Sequence, residues 1–199
     1  MTITDIVIAV AVFLFLGVYV SWRAGRLDRM HTRLEAARAA LDVTLVHRSS
    51  VALELASSGF LDPATSLLLA GAAHEARGHG SAHKGLAYTD LAETELAQSN
   101  LSRALRAAFA QPGFRTSLDG QDGAADMLAE LEAAAHQVLV ARKFYNTAVA
   151  ITRDARRKPL VRVLRLAGHA DLPEFFEMDD SLVVEDDDGA GADMQRLAG

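Results

Sequence analysis

The chain has 199 residues, no cysteine and a net charge of −6, and alanine and leucine dominate its composition. The acidic excess lies in residues 179–199, and the acidic and basic residues of 1–178 balance to zero, so we expect no nucleic-acid partner. Only 6% of the residues are aromatic, and the excess of strong helix formers predicts an all-α fold.

An uncharged apolar run covers residues 6–22 and reads IVIAVAVFLFLGVYVSW. Counted from Ile3, about 20 residues rising about 1.5 Å each span roughly 30 Å, the thickness of a bilayer's hydrocarbon core. The first five basic residues all follow the run: Arg23, Arg26, Arg29, Arg33 and Arg38. A cleaved signal peptide has the reverse order, so we predict that residues 1–22 form a retained transmembrane anchor, with residues 3–22 in the lipid bilayer.

The arginines after the run also predict the orientation of the protein. Basic flanks stay in the cytoplasm. We therefore expect a single-pass protein of the inner or plasma membrane, with its N-terminus outside and its C-terminal domain in the cytoplasm. The absence of cysteine fits a cytoplasmic domain.

Beyond the anchor, the pattern predicts long amphipathic helices separated by short breaks. The first helix continues from the anchor to about Ser57, with a heptad-like apolar stripe that includes Leu34 and Leu41 as core residues. The other three are predicted from Asp62-Pro63 to Gly78/Gly80, from Leu86 to Ala110 and from Asp122 to Arg157. Short connections predict an antiparallel bundle over residues 23–178, followed by an acidic, disordered tail over residues 179–199.

Three polar side chains beside the apolar stripes are candidates for structural contacts. Tyr145 and Asn146 lie within the fourth helix, where a buried asparagine needs partners and can fix helix register. A ligand site at this pair is the alternative. Asp42 lies four residues after Arg38 on the first long helix, with Arg48 further on, and we expect it to form an ion pair within this helix or with another helix.

A basic segment at the end of the fourth helix interleaves with apolar residues. Its members are Arg153, Arg156, Arg157, Lys158, Arg162 and Arg165. Such a segment can lie on an anionic bilayer, which makes these side chains candidates for contact with lipid or another anion. In the alternative interpretation, the apolar residues cover the end of the bundle and the basic side chains are solvated or pair with acidic residues.

Three histidines, His74, His79 and His83, were weighed as metal ligands. In the HExxH zinc motif the two histidines are four residues apart, whereas His79 follows His74 by five. The chain has no cysteine and no phosphate-cradling or nucleophile motif. We therefore predict a polar turn at these histidines, with no metal, no cofactor and no catalytic residue.

Five segments, in order along the chain, resemble the LemA family. Residues 141–149, ARKFYNTAV, are similar to the family's ARRFYNxAV signature, and residues 173–177, PEFFE, follow Pro159 and Gly168 as in its C-terminal run. The other similar segments are residues 41–45 with Arg48, residues 72–75 and residues 101–105. The chain lacks the family's Pro-Asn-Leu and is shorter after His74. The resemblance implies a membrane-anchored antiparallel helical bundle and no established catalytic activity.

These features favour a scaffold or adaptor of the bacterial envelope that binds other membrane proteins. Two alternatives remain open from the sequence: a membrane-tethered hydrolase with a site in an interhelical cleft, and a module that binds the lipid surface. The identity of the partner and self-association into a homo-oligomer are also open.

Overall fold

A computed structural model describes residues 3–81, 88–111, 114, 121–158 and 172–179. These ranges contain the helices α1 (Ile3–Ser57), α2 (Pro63–Ser81), α3 (Tyr88–Phe109) and α4 (Ala124–Arg157), and they contain no strand. The predicted all-α fold is therefore confirmed. The predicted tail from residue 180 onward lies outside the described residues.

The ends of the helices agree with the sequence prediction to within a few residues. Helix α1 ends at Ser57 and α2 begins at Pro63, as predicted. Helix α3 begins at Tyr88, and the predicted start at Leu86 lies outside the described residues. Helix α4 begins at Ala124 rather than Asp122, because Gly123 has a φ of 84°, which a right-handed helix cannot contain.

The connection between α1 and α2 is short, and local contacts define both of its ends. Gly59 has a φ of 82° just after α1, a conformation that favours glycine at a helix C-terminus. Asp62 then accepts hydrogen bonds from the backbone amides of Ala64 at 3.0 Å and Thr65 at 3.1 Å. These bonds satisfy two of the amides that a helix N-terminus leaves without partners, while Pro63 needs none.

The chain divides into two compact units, and α1 and α4 each contribute to both. Unit 2 comprises residues 40–143 and 176–199, and its described part contains the main apolar core. All four helices supply core side chains, including Leu55 from α1, Leu69 from α2, Leu105 from α3 and Leu131 from α4. Each buried leucine contributes about 1.5–3 kcal/mol relative to exposure in water, so the bundle is stabilised mainly here.

Two contacts establish that α2 and α3 run antiparallel. Near the start of α2, the Thr65 hydroxyl accepts a hydrogen bond of 2.7 Å from the side chain of Gln111, just after α3. Near the end of α2, the carbonyl of Ala76 accepts a bond of 3.3 Å from Gln98, in the middle of α3. Residue numbers therefore rise along α2 while they fall along α3.

Unit 1 comprises residues 1–39 and 144–175, and it includes the start of α1. Large apolar side chains in that part of α1 are exposed, among them Phe13, Phe15 and Val18. Within the residues that the structure describes, no helix contains a stretch long and apolar enough to cross a membrane. The predicted transmembrane anchor therefore stays a prediction.

The two leucines predicted as core residues differ in burial. Leu41 is buried, with 2% of its surface exposed. Leu34 is only half-buried. The apolar stripe of α1 is therefore fully packed at Leu41 and only partly packed at Leu34.

Candidate functional site

A buried polar cluster lies inside the apolar core of unit 2. Arg48 is 1% exposed, and its guanidinium group donates hydrogen bonds to the side-chain oxygen of Gln98 at 2.6 Å and to the backbone carbonyl of Gln98 at 3.1 Å. It also donates to the hydroxyl of Ser102 at 3.2 Å. A buried guanidinium is tolerated only when such groups replace its lost water.

The amide of Gln98 extends this cluster to two more helices. Its nitrogen donates to the hydroxyl of Ser49 on α1 and to the carbonyl of Ala76 on α2, both at 3.3 Å. The cluster thus joins α1, α2 and α3 through directional bonds in a core where apolar contacts alone are not directional. These directional bonds favour a single packing arrangement of the three helices.

The buried cluster was not predicted as a site. Arg48 was named only in the LemA resemblance and as a possible ion-pair partner of Asp42, and Gln98 was not singled out. The signal was present, because Gln98 and Ser102 are four residues apart on the same face of α3 as the buried Leu101 and Leu105. Polar side chains within an apolar stripe indicate partners on a facing helix.

The segment 172–179 lies against the helices through both its backbone and its side chains. Within unit 1, the Tyr145 hydroxyl donates a hydrogen bond of 3.0 Å to the carbonyl of Glu174. Within unit 2, Arg142 donates to the carbonyl of Met178 at 3.0 Å, and the side chains of Phe176 and Met178 are buried. Residues 141–149 and 173–177, both quoted for the resemblance, therefore meet in the fold.

Of the candidate structural residues of the sequence analysis, Tyr145 and Asn146 belong to unit 1 and Asp42 belongs to unit 2. Tyr145 is buried, whereas Asn146 and Asp42 are half-buried. Helix α4 contains Tyr145 and Asn146, and α1 contains Asp42.

The basic segment is described only as far as Lys158, and Arg162 and Arg165 lie outside the described residues. Arg156 is buried, while Arg157 and Lys158 are exposed. The guanidinium of Arg153 lies 5.2 Å from the ring centre of Phe175, a cation–π contact within unit 1. The segment therefore includes a packed face as well as a solvated one.

The histidines do not assemble a metal centre among the described residues, where no group of three histidine or acidic side chains lies close enough to hold an ion. His79 donates from its ring to the carbonyl of Glu75 at 2.9 Å and lies 3.8 Å from a carboxylate oxygen of Glu93. His74 is exposed on α2 and His83 lies outside the described residues.

Two adjoining cavities in unit 1 form what we call the arginine groove. The first has a volume of about 420 Å³ and lies between α1 and α4; its lining residues are Trp22, Arg26, Arg29, Met30, Arg33, Ala148, Ile151 and Thr152. The second has a volume of about 380 Å³ and follows α1 toward its N-terminus; it is lined by Val18, Ser21, Trp22, Gly25 and Arg29. Trp22 and Arg29 line both cavities and so connect them.

The spacing along α1 explains why these side chains share one face. Positions Trp22, Arg26, Arg29 and Arg33 are separated by four, three and four residues, which returns each to the same side of an α-helix. In the sequence, these arginines predicted a retained anchor and its orientation, and no binding surface. Their helical spacing from Trp22 is the signal that would have predicted a basic groove.

The chain was compared with family models, curated proteins and solved structures. No family model, no curated protein and no solved structure matches it.

Proposed function

We propose that this protein is a single-pass, membrane-anchored helical scaffold or adaptor, with its N-terminus outside and its helical bundle in the cytoplasm. The observation that supports the proposal most directly is the exposure of consecutive apolar side chains at the start of α1. Phe13, Leu14 and Phe15 are all exposed, although consecutive residues point to different sides of a helix. The protein's own described core does not cover this stretch.

A bilayer is the environment that fits such a helix. Apolar side chains favour insertion by roughly 0.3–0.6 kcal/mol each, and eleven residues between Ile6 and Val20 are Ile, Val, Leu or Phe. All backbone hydrogen bonds of an α-helix are internal, so its backbone needs no water. The orientation follows from the arginines, which begin at Arg23 and have no basic counterpart before the run.

The scaffold role rests on the surface of the bundle. Leu67 and Leu68 lie side by side on α2, and both are largely exposed. Neighbouring exposed leucines indicate contact with another apolar surface more often than isolated ones do. The resemblance to the LemA family, which implies the same architecture, stays a prediction based on the quoted segments.

The hydrolase alternative has no comparable observation. The two cavities of the arginine groove are lined by arginine, apolar and hydroxyl-bearing side chains, without a carboxylate or a histidine. A hydrolytic site needs a base or a metal near the scissile bond.

The anchoring half of the proposal is tested by extraction of the full chain from membranes at alkaline pH. The wild-type chain is expected to stay in the membrane pellet, and the double variant Phe13→Asp/Phe15→Asp is expected to be released, because two charges in the apolar run oppose insertion by about 5–7 kcal/mol together. A reporter fused at Gly199 is expected to be active only in the cytoplasm. Release of the wild-type chain would contradict anchoring, and reporter activity outside would contradict the orientation.

The adaptor half is tested by placing a photo-crosslinking residue at Leu68, with the same residue at the exposed His74 of α2 as the control. We expect discrete adducts with another membrane protein at position 68 and none at position 74. The same adducts at both positions, or none at position 68, would contradict a partner surface on α2.

A further inference from the structure

The arginine groove concentrates positive charge without acidic compensation. Arg26, Arg29 and Arg33 form no hydrogen bond or ion pair with any residue in the described part of the chain. Like charges on one helix face repel, and a bound anion would relieve that repulsion. The groove therefore favours a negatively charged ligand.

The two cavities differ in chemistry, which constrains the ligand further. Arg26 and Arg33 line the first cavity, whereas Val18, Ser21 and Gly25 line the second, where Arg29 is the only charged side chain. A small soluble anion would use the first cavity alone. A ligand with a charged end and an apolar end would use both.

The arginines of the groove lie at the depth of the polar layer of a membrane, if the apolar run before them spans the hydrocarbon core. At about 1.5 Å per residue, Arg26 and Arg29 lie roughly 6 Å and 10 Å beyond Trp22 along the helix. The headgroup layer adds about 5–8 Å on each side of the hydrocarbon core, and long arginine side chains can bend back toward it. Trp22 at the end of the apolar run lies where an indole ring prefers the interface.

We propose that the arginine groove binds an anionic phospholipid. The headgroup phosphate accepts hydrogen bonds from Arg26 and Arg29, and an acyl chain follows Trp22 and Val18 along the second cavity. The ligand is a lipid because the second cavity, which only one charged side chain lines, adjoins the cavity lined by three arginines and extends toward the predicted anchor. This inference rests on the proposed membrane anchoring and adds a lipid class and a binding site to it.

The test uses Trp22 as a built-in probe, because it is the only tryptophan in the chain. The full chain is reconstituted into nanodiscs of phosphatidylcholine that contain a small, fixed fraction of phosphatidylglycerol. In one sample the phosphatidylglycerol has brominated acyl chains, and in the other the same fraction of the phosphatidylcholine does. Bromine quenches tryptophan only at short range, so stronger quenching by the brominated anionic lipid measures its enrichment at Trp22.

Three variants separate specific binding from general attraction. Arg26→Gln/Arg29→Gln is expected to reduce the enrichment by about fivefold per arginine. Arg157→Gln is the control for the loss of one positive charge outside the groove, to be compared with the effect per arginine, because Arg157 is exposed on α4 and does not line the groove. Gly25→Leu is expected to reduce enrichment without disturbing the fold, because a Cβ atom at Gly25 would have no neighbour within 4 Å outside its own helix backbone and Gly25 lines only the second cavity.

The possible outcomes distinguish failure of the lipid site from failure of the proposed membrane anchoring. Equal quenching by both brominated lipids, in a chain that remains in the nanodisc, would overturn the lipid site and leave membrane anchoring intact. An equal loss of enrichment in Arg157→Gln would also overturn it, because the attraction would then be nonspecific. Displacement by millimolar glycerol phosphate would assign the groove to a soluble phosphate compound. A chain that fails to incorporate at all would overturn both proposals.

Discussion

Tyr145 donates a hydrogen bond of 3.0 Å from its buried hydroxyl to the backbone carbonyl of Glu174, 29 residues further along the chain. The bond holds residues 172–175 against α4 within unit 1. Tyr145→Phe is expected to lower the free energy of unfolding by about 1 kcal/mol, because it leaves the carbonyl without this donor and changes little else. The measurement is urea unfolding of the detergent-solubilised chain, followed by circular dichroism.

The neighbouring Phe144 provides the matched control, since it is exposed and on the same turn of α4. Phe144→Leu should leave the unfolding midpoint within about 0.5 kcal/mol of the wild type. A Tyr145→Phe variant as stable as wild type would mean that the hydroxyl contributes nothing to holding the segment.

The buried cluster around Arg48 should be among the most sensitive positions of unit 2. Arg48→Met is expected to cost about 3–5 kcal/mol, because it leaves the polar groups of Gln98 and Ser102 buried without their donor. Arg48→Lys should not restore stability, since an ammonium group cannot reproduce the two-pronged geometry. Combining Arg48→Met with Gln98→Leu should cost less than the sum of the two single changes.

Arg103, exposed on α3, is the control for loss of an arginine. Arg103→Met is expected to change stability by less than about 0.5 kcal/mol. If the Arg48 and Arg103 variants unfold at the same denaturant concentration, the cluster does not specify the packing of the core.

Leu41 and Val43 test the buried face of α1 at two nearby positions with opposite exposure. Leu41 is 2% exposed and Val43 is 69% exposed. Leu41→Asp should cost several kcal/mol because it buries an unpaired charge, whereas Val43→Asp should have little effect. Thermal unfolding of the two variants compares them directly, and similar midpoints would contradict the packing of this face.

The cap of α2 predicts a specific dependence of stability on pH. Hydrogen bonds from the side chain and backbone of Thr65 hold the pKa of Asp62 below its usual value of 3.8. A carboxyl whose pKa is depressed by folding stabilises the protein above the unfolded-state pKa, and this contribution is lost as the pH falls through the folded-state pKa. Asp62→Asn keeps a good cap without the charge, so its stability should fall less than that of the wild type between pH 5 and about pH 2. Parallel curves over this range would contradict the role of the carboxylate.

The sequence predicted the helices well because their boundaries depend on local chemistry. Asp62-Pro63 starts α2 through bonds to its own first turn, and Ser57 ends α1 two residues before Gly59. Helix α4 begins two residues after the predicted start near Asp122. The reason is the positive φ of Gly123, a backbone conformation that the neighbouring residues do not predict.

The contacts between distant segments were harder to predict. The partners of Arg48 lie about 50 residues away on α3, and nothing in the local sequence of α1 identifies them. The arginine groove needs α4 beside α1, so its second wall, which includes Ile151 and Thr152, is visible only in the fold. In contrast, the basic face of α1 alone could have been found from helical spacing.

Single-cysteine labelling tests whether the start of α1 lies in a lipid bilayer, as we propose. The chain contains no cysteine, and Phe13 and Leu67 are each 76% exposed in the protein itself. Phe13→Cys and Leu67→Cys would therefore react alike with a water-soluble maleimide if both faced water. In permeabilised cells with intact membranes, we expect Leu67→Cys to react readily and Phe13→Cys to react only after the membrane is dissolved and the chain unfolded. Equal labelling of the two cysteines in intact membranes would contradict membrane anchoring by α1.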